Sequence, residues 1–386
     1  MKRDNYSAIL GNTIGNPDMK ELTKHRPLAT LPFDGKYRLL DFQLSALSNA
    51  GIRNVFGIFQ EKNMRSVFDH VRSGREWGLN TQLSHWFLGF YDSDLASHTT
   101  NDDYYEQVLT YLRRSGSNRT VYMGCDVLCN IDVAHVIALA EESDCDVAVV
   151  YKKLVVTDIS QENDVLEVSS DDTVLSHGTL EEMRDKLLAH DDCDNYKMSA
   201  DIYVVRTSEL IARMEEERKK PQPRKLRYLL RDLLTSVSSL AYEYTGYVSN
   251  IHSVKSYYDA NMDMLNPNGF YSLLYSNQKV YTKVKNEEST YFATTSHVKD
   301  SQFASGSIIK GTVVRSIISR NCMIDEHSSV DSSIVFPKVT IGQGARVQYA
   351  ILDKNVTVAP GVTIRGTADE PIVVAKGEQI TEDVTR

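Results

Sequence analysis

The chain has 386 residues, of which 41% are hydrophobic and 25% are charged, and this length allows two domains with a core each. Its net charge of −9 leaves no basic excess to neutralise phosphates, which argues against a general nucleic-acid-binding protein. The sequence contains neither a basic-then-apolar leader nor an apolar run of about 18 residues, so we expect a cytoplasmic protein that does not enter a membrane.

The five cysteines, Cys125, Cys129, Cys145, Cys193 and Cys322, are odd in number and scattered, which favours reduced thiols inside a cell. Cys125 and Cys129 lie four positions apart, but no second cysteine pair or histidine pair completes a zinc set. We therefore predict no structural zinc.

The part of the chain before residue 266 alternates short apolar stretches with amphipathic ones. The pattern predicts strands at Ser7–Leu10, Val55–Phe59, Val121–Met123, Asp146–Tyr151 and Ala200–Val205. It predicts helices at Asp41–Ala50, Asn63–Arg75 and Tyr104–Arg114, and an irregular aromatic-rich segment at Trp77–Ser97. Strands that alternate with helices are typical of a mostly parallel sheet with helices on both faces, so we expect an α/β domain.

Two further stretches precede the carboxyl-terminal part. Glu215–Arg227 is a charge run broken by two prolines, which indicates either a solvated helix end and loop or a surface for an anionic effector or a partner. Ser253–Leu265 has apolar side chains at helical spacing and predicts an amphipathic helix capped by Ser253. The Asn-Pro-Asn-Gly sequence at 266–269 ends this helix, and the residues up to 300 are expected to form a linker.

The clearest pattern follows residue 300. Apolar residues recur six positions apart within a set, and each set recurs 17 positions later: Ile318, Ile324, Val330, then Val335, Ile341, Val347, then Leu352, Val358, Ile364. Amphipathic helices do not fit this spacing, because they need a period of 3.6 residues. The repeat predicts a parallel β-helix of the hexapeptide type, whose ends need neighbouring segments or partner subunits to cover them.

A glycine-bearing loop at residues 11–17 follows the first predicted strand. Backbone N–H groups of such a loop can close around a phosphate, although a plain strand-to-helix connection fits the same residues. The continuation Phe33–Phe42, FDGKYRLLDF, adds two cations, and we expect Lys36 and Arg38 beside the loop at the entry to a helix.

Residues 33–45, FDGKYRLLDFQLS, resemble the segment after the nucleotide loop of ADP-glucose pyrophosphorylases (glucose-1-phosphate adenylyltransferases). The resemblance covers most of the chain and returns at 121–132 (VYMGCDVLCNID), 198–205 (MSADIYVV), 249–265 (SNIHSVKSYYDANMDML) and in the repeats. It implies a Rossmann-like, GT-A-like nucleotidyltransferase domain at residues 1–265, a linker at 266–300 and a left-handed parallel β-helix at 301–386. The altered catalytic positions resemble the non-catalytic, GlgD-type branch of the family.

The resemblance also implies where catalytic groups should stand, and several are missing. Active members read roughly Gly-Gly-x-Gly-x-Arg-Leu in the loop, whereas here Asn16–Met19 stands where the arginine is expected. The family's Lys-Pro pair is replaced by Leu28 and Ala29. Losing one charge-stabilising donor typically costs on the order of 10²–10³ in rate, so these changes together predict little activity and no catalytic residues.

The metal-binding positions of the family are altered as well. Asp126 matches a metal-binding aspartate, although a turn or helix-cap aspartate fits the position equally. Asn250 stands where the family has the companion aspartate, and a neutral amide holds Mg²⁺ more weakly than a carboxylate. We therefore expect no metal and no cofactor in this chain, with Mg²⁺ bound in an active partner subunit.

Two groups of residues survive these changes. The residues that keep the outline of the nucleotide cleft are Gly11, Gln60 and Asp126. The residues that keep positive charge near the family's sites for phosphorylated effectors are His25, Arg26, Lys36 and Arg38, for which a solvated surface is the alternative. Because arginine forms bidentate contacts with phosphate, Arg26 and Arg38 are the first candidates for effector binding.

The resemblance and these changes favour a regulatory, largely non-catalytic subunit of glucose-1-phosphate adenylyltransferase in glycogen biosynthesis. Such a chain would form a heterotetramer with an active subunit and respond to a phosphorylated metabolite. One alternative is a weakly active nucleotidyltransferase with an adapted loop. Another is a hexapeptide-repeat acyltransferase with His327 as its base, but that function leaves the α/β domain unexplained.

Overall fold

The computed structural model describes residues 5–11, 17–61, 64–81, 84–92, 98–161, 163–187, 195–276 and 278–386. These residues pack into two compact units, each built from separate stretches of chain. Unit 1 comprises the described residues within 1–17, 40–250 and 276–281, and unit 2 those within 18–39, 251–275 and 282–386. The sequence-based boundaries at 265 and 300 stay a prediction.

The helices are, in chain order, α1 (Lys20–Thr23), α2 (Leu39–Asn49), α3 (Met64–Val71), α4 (Asp102–Ser115), α5 (Val133–Glu142), α6 (Leu180–Leu187), α7 (Thr207–Glu217), α8 (Leu226–Ser236), α9 (Val254–Asp263) and α10 (Pro267–Leu274). Short 3-10 turns lie at Pro17–Met19, Leu28–Thr30, Arg75–Trp77 and Val156–Asp158. Within the described ranges, no helix is both long and apolar enough to cross a membrane.

The strands before residue 251 are β1 (Tyr6–Gly11), β2 (Pro32–Phe33), β3 (Tyr37–Arg38), β4 (Asn54–Gln60), β5 (His85–Tyr91), β6 (Arg119–Gly124), β7 (Val127–Cys129), β8 (Val147–Leu154), β9 (Asp164–Val168), β10 (Val174–Thr179), β11 (Tyr196–Arg206), β12 (Ser239–Glu243) and β13 (Val248–Asn250). The strands from residue 291 onward are β14 (Tyr291–Phe292), β15 (His297–Lys299), β16 (Gln302–Phe303), β17 (Ile308–Ile309), β18 (Thr312–Val314), β19 (Ile317–Ile318), β20 (Met323–Ile324), β21 (Ser329–Asp331), β22 (Ile334–Val335), β23 (Thr340–Ile341), β24 (Arg346–Gln348), β25 (Ala350–Leu352), β26 (Thr357–Val358), β27 (Thr363–Arg365), β28 (Ile372–Val374), β29 (Gln379–Ile380) and β30 (Val384–Thr385).

Unit 1 is an α/β unit around a nine-stranded sheet with the order β10-β9-β11-β6-β1-β4-β5, in which β8 also pairs with β11 and β12. Strands β6, β1, β4 and β5 run parallel, and β11 joins β6 antiparallel, so the sheet is mixed. All six residues of β1 are buried, as a strand covered on both faces requires. The predicted α/β fold class is confirmed.

Strand β5 corrects the expectation of an irregular segment at 77–97. Residues His85–Tyr91 pair with β4 in parallel, from Asn54 opposite His85 to Gln60 opposite Tyr91. Its sequence HWFLGFY carries bulky residues on both faces, so it lacks the apolar–polar alternation that marks a half-buried strand. Residues 82–83 and 93–97 of that segment lie outside the described residues.

Unit 2 contains a coil of three parallel sheets, with six, six and five strands. Each strand pairs with the strand one turn later, as Ile318 does with Val335 and Val335 with Leu352. The nine apolar residues of the predicted repeat are all buried, which explains the 17-residue spacing. The structure thus confirms the parallel β-helix, and its first turn begins at Tyr291, inside the stretch predicted as a linker.

Residues 32–38 also belong to unit 2 and form a β-hairpin that the sequence pattern did not predict. Strands β2 and β3 are joined by Asp34 (φ 46°) and Gly35 (φ 71°), and this pair of positive φ angles is the Asp-Gly hairpin turn. Helix α2 begins at Leu39, directly after Arg38, so the expected entry into a helix at this point is confirmed. Helix α9 holds the hairpin, because the Tyr257 hydroxyl donates to the Pro32 carbonyl. The predicted cap of α9 is confirmed, since Ser253 accepts a hydrogen bond from the Ser256 N–H at 3.0 Å.

Candidate functional site

The predicted cleft residues of unit 1 lie at the carboxyl edge of the parallel strands. Gly11 ends β1 and pairs with Gly124, the last residue of β6, while Gln60 ends β4. Asp126 follows β6 by two residues, so the structure brings Gly11, Gln60 and Asp126 to one edge of the sheet. This edge is where open α/β sheets bind ligands. The predicted loop at 12–16 lies outside the described residues.

A fully buried arginine occupies the centre of this edge. Arg227, in the first turn of α8, is 1% exposed, and its guanidinium lies 3.3 Å from the Asp126 carboxylate and 3.2 Å from the Asp201 carboxylate. Burial lowers the pKa of Arg227, but the charges of Asp201 and Asp126 more than offset this effect. The net pKa is raised, so the guanidinium stays charged. Burial raises the pKa of Asp201 to about 6, and Arg227 opposes that rise.

The arrangement requires a glycine at the end of β6. A Cβ on Gly124 would lie 2.2 Å from one Asp201 oxygen and 2.8 Å from an Asp126 oxygen. Asp201 itself has a positive φ of 55°, next to a register shift in β11. Backbone strain of this kind costs roughly 1–3 kcal/mol and persists only where the surroundings hold it, as Arg227 does here.

A second layer of ion pairs surrounds the first. Arg231, one helical turn after Arg227, lies 3.1 Å from the Asp164 carboxylate, which also meets the His177 ring at 3.1 Å. Asn250 is buried and donates to the Asn163 side chain at 2.7 Å and to the Met198 sulfur at 3.6 Å. The amide of Asn250 thus contributes to a neutral network.

These residues do not fit a divalent cation. Magnesium prefers several oxygen ligands that include carboxylates, whereas Asp126 is paired with the Arg227 guanidinium and the predicted companion, Asn250, offers only a neutral amide oxygen. Within the described part of the chain, no group of three or more His, Cys, Asp or Glu side chains is arranged to hold a metal. The carboxylates of Asp126, Asp201 and Asp164 are instead paired with the guanidinium groups of Arg227 and Arg231.

The charge run at 215–227 contributes Arg227 to this ion network. Glu217, Lys225 and Arg227 are buried, so the expectation of a solvated loop is wrong for these positions. Glu217 accepts hydrogen bonds from Lys220 and Arg224, which lower its pKa to about 2 against the opposing effect of burial. Part of the run supplies charges to the interior of unit 1 rather than a surface for an effector.

The four predicted effector residues all belong to unit 2, and they differ in solvent exposure and in the contacts that they already make. His25 and Lys36 are exposed, and the Lys36 ammonium lies 4.7 Å from the Tyr37 ring centre. Arg38 is half-buried and donates to the Thr30 carbonyl. Arg26 is buried, with two contacts of 2.7 Å to the Asp353 carboxylate and its guanidinium 5.7 Å from the Phe336 ring, so its charge is already compensated.

The coil adds cations that the sequence-based prediction missed. At one corner, successive turns carry Arg320, Lys338, Lys354 and Lys376, which we call the cationic corner. The turns stack there, because the Lys338 N–H donates to the Arg320 carbonyl and the Gly377 N–H to the Lys354 carbonyl, each at 3.0 Å. Lys338 has a φ of 64°, at the position where the neighbouring turns have Asn321, Asn355 and Gly377. A lysine is unusual there, because asparagine and glycine adopt this conformation more readily.

Two arginines of segment 18–39, Arg26 and Arg38, repel the charges of the cationic corner. Partial burial lowers the pKa of Lys354, and the charges of Lys338, Lys376, Arg38 and Arg26 lower it further. Burial likewise lowers the pKa of Lys285 to about 8, helped by Arg320 and Arg38 and opposed by Glu287. An anion bound here would relieve this repulsion, and lysine and arginine side chains form strong charge-assisted hydrogen bonds with phosphate. The signal in the sequence was a basic residue in each turn of the repeat.

The remaining candidates from the sequence are His327 and the cysteines. His327 is exposed at a turn of the coil with a φ of 60°. Cys125, Cys129, Cys145 and Cys322 are buried and free, and burial raises the pKa of Cys129 to about 12. Cys193 lies outside the described residues.

An α/β unit built on a mostly parallel sheet, followed along the chain by a parallel β-helix, is the architecture of a nucleotidyltransferase with a β-helical extension. Comparison of the sequence agrees. The profile of the Nucleotidyl transferase family matches residues 19–266, and that of the GlmU-like C-terminal hexapeptide family matches residues 283–380.

Proteins similar to this chain over its whole length carry two names. The Glycogen biosynthesis protein GlgD of Bacillus subtilis is 28% identical over 96% of this chain and 95% of its own length, and that of Geobacillus stearothermophilus is 30% identical over 95% of each. A Glucose-1-phosphate adenylyltransferase of Bacillus cytotoxicus is 24% identical over 98% of this chain and 100% of its own length. The chain belongs to the nucleotidyl transferase family, in the group that contains the GlgD proteins and the glucose-1-phosphate adenylyltransferases.

Proposed function

We propose that the chain is a regulatory, largely non-catalytic subunit of a glucose-1-phosphate adenylyltransferase in glycogen biosynthesis. That reaction joins ATP and glucose 1-phosphate to form ADP-glucose and pyrophosphate. The names of the relatives support the pathway. The observation that carries the non-catalytic part of the proposal is the buried guanidinium of Arg227 between Asp126 and Asp201.

This ion network works against nucleotidyl transfer. The reaction needs mobile or open positive charge, from a metal or from loop cations, to neutralise the departing pyrophosphate. In this cleft the buried cation is compensated by two carboxylates, and the loop arginine and the lysine of the active family are replaced. We therefore assign no catalytic residue to the chain, and Mg²⁺ is expected to act in the active partner subunit.

The effector site is proposed in unit 2. The cationic corner, together with Lys285 and Arg38, offers an excess of positive charge over its carboxylates Asp353 and Glu287. Exposed His25 and Lys36 belong to the same amino-terminal segment as Arg38. We propose that a phosphorylated metabolite binds these cations, while Arg26 contributes by holding the segment to Asp353.

The test is a coupled pyrophosphate-release assay on the purified chain with ATP, glucose 1-phosphate and Mg²⁺. We expect turnover far below the roughly 10 per second of an ordinary enzyme. Asp126→Asn, checked for folding by its melting temperature, is the matched variant. Turnover near that of an ordinary enzyme, or weaker turnover that Asp126→Asn removes, would contradict the proposal and favour an active nucleotidyltransferase.

A further inference from the structure

Unit 1 carries a concave site at the opposite edge of its sheet from Gly11 and Gln60. It is a groove of about 660 Å³ between helix α4 and the first residues of β4 and β5, and this volume falls within the roughly 300–1,000 Å³ of small-molecule sites. Asn54 and His85 line it, and these paired residues begin their strands. The groove therefore lies at the amino edge of the parallel strands, whereas Gly11 and Gln60 lie at the carboxyl edge.

The floor of the groove is aromatic and rigid. Phe87 is 47% exposed, and its ring centre lies 5.6 Å from that of His85 and 5.9 Å from that of Tyr111. Tyr111 stacks on buried Phe56 at 4.9 Å, and its hydroxyl lies within hydrogen-bond distance of the Ala8 and Asn54 carbonyls, at 3.1 and 2.9 Å. The exposed ring of Phe87 thus rests on a support that is fixed by packing and hydrogen bonds.

The rim of the groove is polar and balanced in charge. Helix α4 contributes Glu106, Thr110 and Arg114, which are four positions apart on one face of the helix, and Ser115, its last residue. Glu106 is held by Arg218 at 2.9 Å and accepts from Thr110 at 3.3 Å, while the Ser115 hydroxyl donates to the Leu112 carbonyl at 2.8 Å. The rim therefore offers donors and acceptors without a net charge.

The edge of β5 beside the groove is partly closed to strand addition. The Gln107 side chain accepts from the Phe90 N–H at 3.2 Å and donates to the Phe90 carbonyl at 2.8 Å. An extended peptide would need these backbone groups, and an anionic nucleotide would need more positive charge than Arg114 supplies. A neutral ligand with flat apolar faces and many hydroxyl groups fits the aromatic floor and the balanced rim.

From this geometry we infer that the groove binds a neutral oligosaccharide, with a sugar ring stacked on Phe87 and hydroxyl groups bonded to Arg114, Asn54 and Thr110. The choice of an α-glucan among oligosaccharides rests on the proposed role in glycogen biosynthesis. A glucan site on this chain would hold an assembly that makes the glucosyl donor close to the polymer that consumes it.

The experiment measures maltoheptaose binding by calorimetry, and retardation of the full chain in a native gel that contains glycogen. We expect the wild-type chain to bind both, and Phe87→Ala and Arg114→Ala each to weaken maltoheptaose binding by about tenfold. Phe68→Ala is the matched control, because Phe68 is 45% exposed on α3 outside the groove lining, and it should leave binding unchanged. Arg114 is exposed on α4, so its variant folds even if Phe87→Ala does not.

Three results would overturn the inference. One is a wild-type chain that neither binds maltoheptaose nor is retarded by glycogen. Another is unchanged maltoheptaose binding in both groove variants, which would place the sugar elsewhere. The third is displacement of maltoheptaose by adenosine, which would assign the groove to a nucleobase. The binding experiments use the chain without a sister subunit or nucleotide. Their outcome is therefore independent of the turnover assay that tests the proposed non-catalytic function.

Discussion

Asp34 is a carboxylic acid buried in the turn of the β2–β3 hairpin. Its backbone N–H donates to the Asn261 side chain at 3.0 Å, but its Oδ1 atom has no hydrogen-bond partner among the described residues. Burial raises the pKa of Asp34 to about 7, and the nearby Lys36 lowers it only in part. Since an unfolded aspartate has a pKa of about 4, the folded chain holds a proton here that the unfolded chain releases.

The first prediction concerns Asp34→Asn. The folded-state pKa is raised, so this group contributes stability below about pH 4 that is lost as the pH rises through about 7. Asparagine stays neutral and tolerates the left-handed backbone, so we expect the variant to gain about 1–3 kcal/mol in the free energy of unfolding at pH 8, with the gain fading towards pH 4. Urea unfolding at both pH values measures it.

Asp300→Asn is the matched control for this change, because Asp300 has a similar φ of 48° but is exposed. It should leave the unfolding free energy nearly unchanged at either pH. An equal gain for Asp34→Asn at pH 4 and pH 8 would show that ionisation of Asp34 is not the cause.

The second prediction concerns the cationic corner. Lys354→Gln and Lys338→Gln should each weaken binding of a hexose bisphosphate or of inorganic phosphate by about tenfold, because each removes a charged hydrogen-bond donor. Wild-type binding should weaken as the pH rises through about 8, where Lys285 loses its proton. Calorimetric titration at pH 7 and pH 9 measures both effects.

Lys299→Gln provides the comparison, since Lys299 is exposed on β15 of the same coil. Equal affinities for wild type and both corner variants would move the effector site away from the coil. Binding that stays constant from pH 7 to pH 9 would remove Lys285 from it.

At the scale of an element, the segment 18–39 is fastened to the coil by one buried ion pair. Arg26 and Asp353 are both buried, and both contacts between them measure 2.7 Å. Breaking a buried pair by removing one partner typically costs 3–5 kcal/mol, because it leaves a charge without compensation, whereas replacing both partners costs much less. The pair therefore contributes to the order of the segment that carries His25, Lys36 and Arg38.

The third prediction is a double-mutant cycle at this pair. Asp353→Asn alone should lower the free energy of unfolding by about 3–5 kcal/mol, and adding Arg26→Met should recover most of that loss. The control cycle is at Lys255 and Asp259, an exposed pair on α9 at 2.5 Å, for which we expect less than about 0.5 kcal/mol. Additive losses at Arg26 and Asp353 would mean that the two charges do not stabilise each other.

The elements divide into those that local pattern determines and those that tertiary contacts determine. The coil was predictable, because inward residues such as Ile324, Ile341 and Val358 repeat with a fixed period. The hairpin at Asp34–Gly35 carries a known turn signal, but its strands have only two residues each, too few for a period to show. Strand β5 was missed because its sequence HWFLGFY lacks an alternation of apolar and polar residues.

In the candidate site, too, local sequence pattern predicts the positions of some residues, whereas tertiary contacts determine the positions of others. Gly11, Gln60 and Asp126 follow predicted strands, so their shared edge could be foreseen from the parallel sheet. The contact of Arg227 with Asp126 joins residues 101 positions apart and depends on a fold that buries a charged side chain, which no local pattern signals. The cationic corner has one basic residue in each of four turns, at two adjacent positions of the repeat, so its clustering could be seen in the sequence once the coil was assumed.

At the scale of the whole molecule, the first turn of the coil leaves apolar residues uncovered. Phe292 and Val298 begin two of the inward columns, and they are 45% and 43% exposed. On the outer face of the same end, Tyr291, Ile308 and Met323 pair in register and are exposed as well. Contiguous exposed apolar residues of this kind mark protein interfaces. We propose that the sister subunit covers this end of the coil.

The last prediction is that the chain forms a hetero-oligomer, most simply a tetramer, with an active pyrophosphorylase subunit and raises its catalytic efficiency. The effect requires different affinities for two states of the assembly, and a factor of about 5–150 is usual for such coupling. Co-expression, sizing and kinetics against the sister alone measure it. Phe292→Glu with Val298→Glu should separate the chains without unfolding this one, because both positions are exposed, whereas Thr357→Glu, an exposed position on β26 of the same coil, should not. Separate elution of the wild-type chains, with unchanged sister kinetics at micromolar excess, would remove the basis for a regulatory subunit.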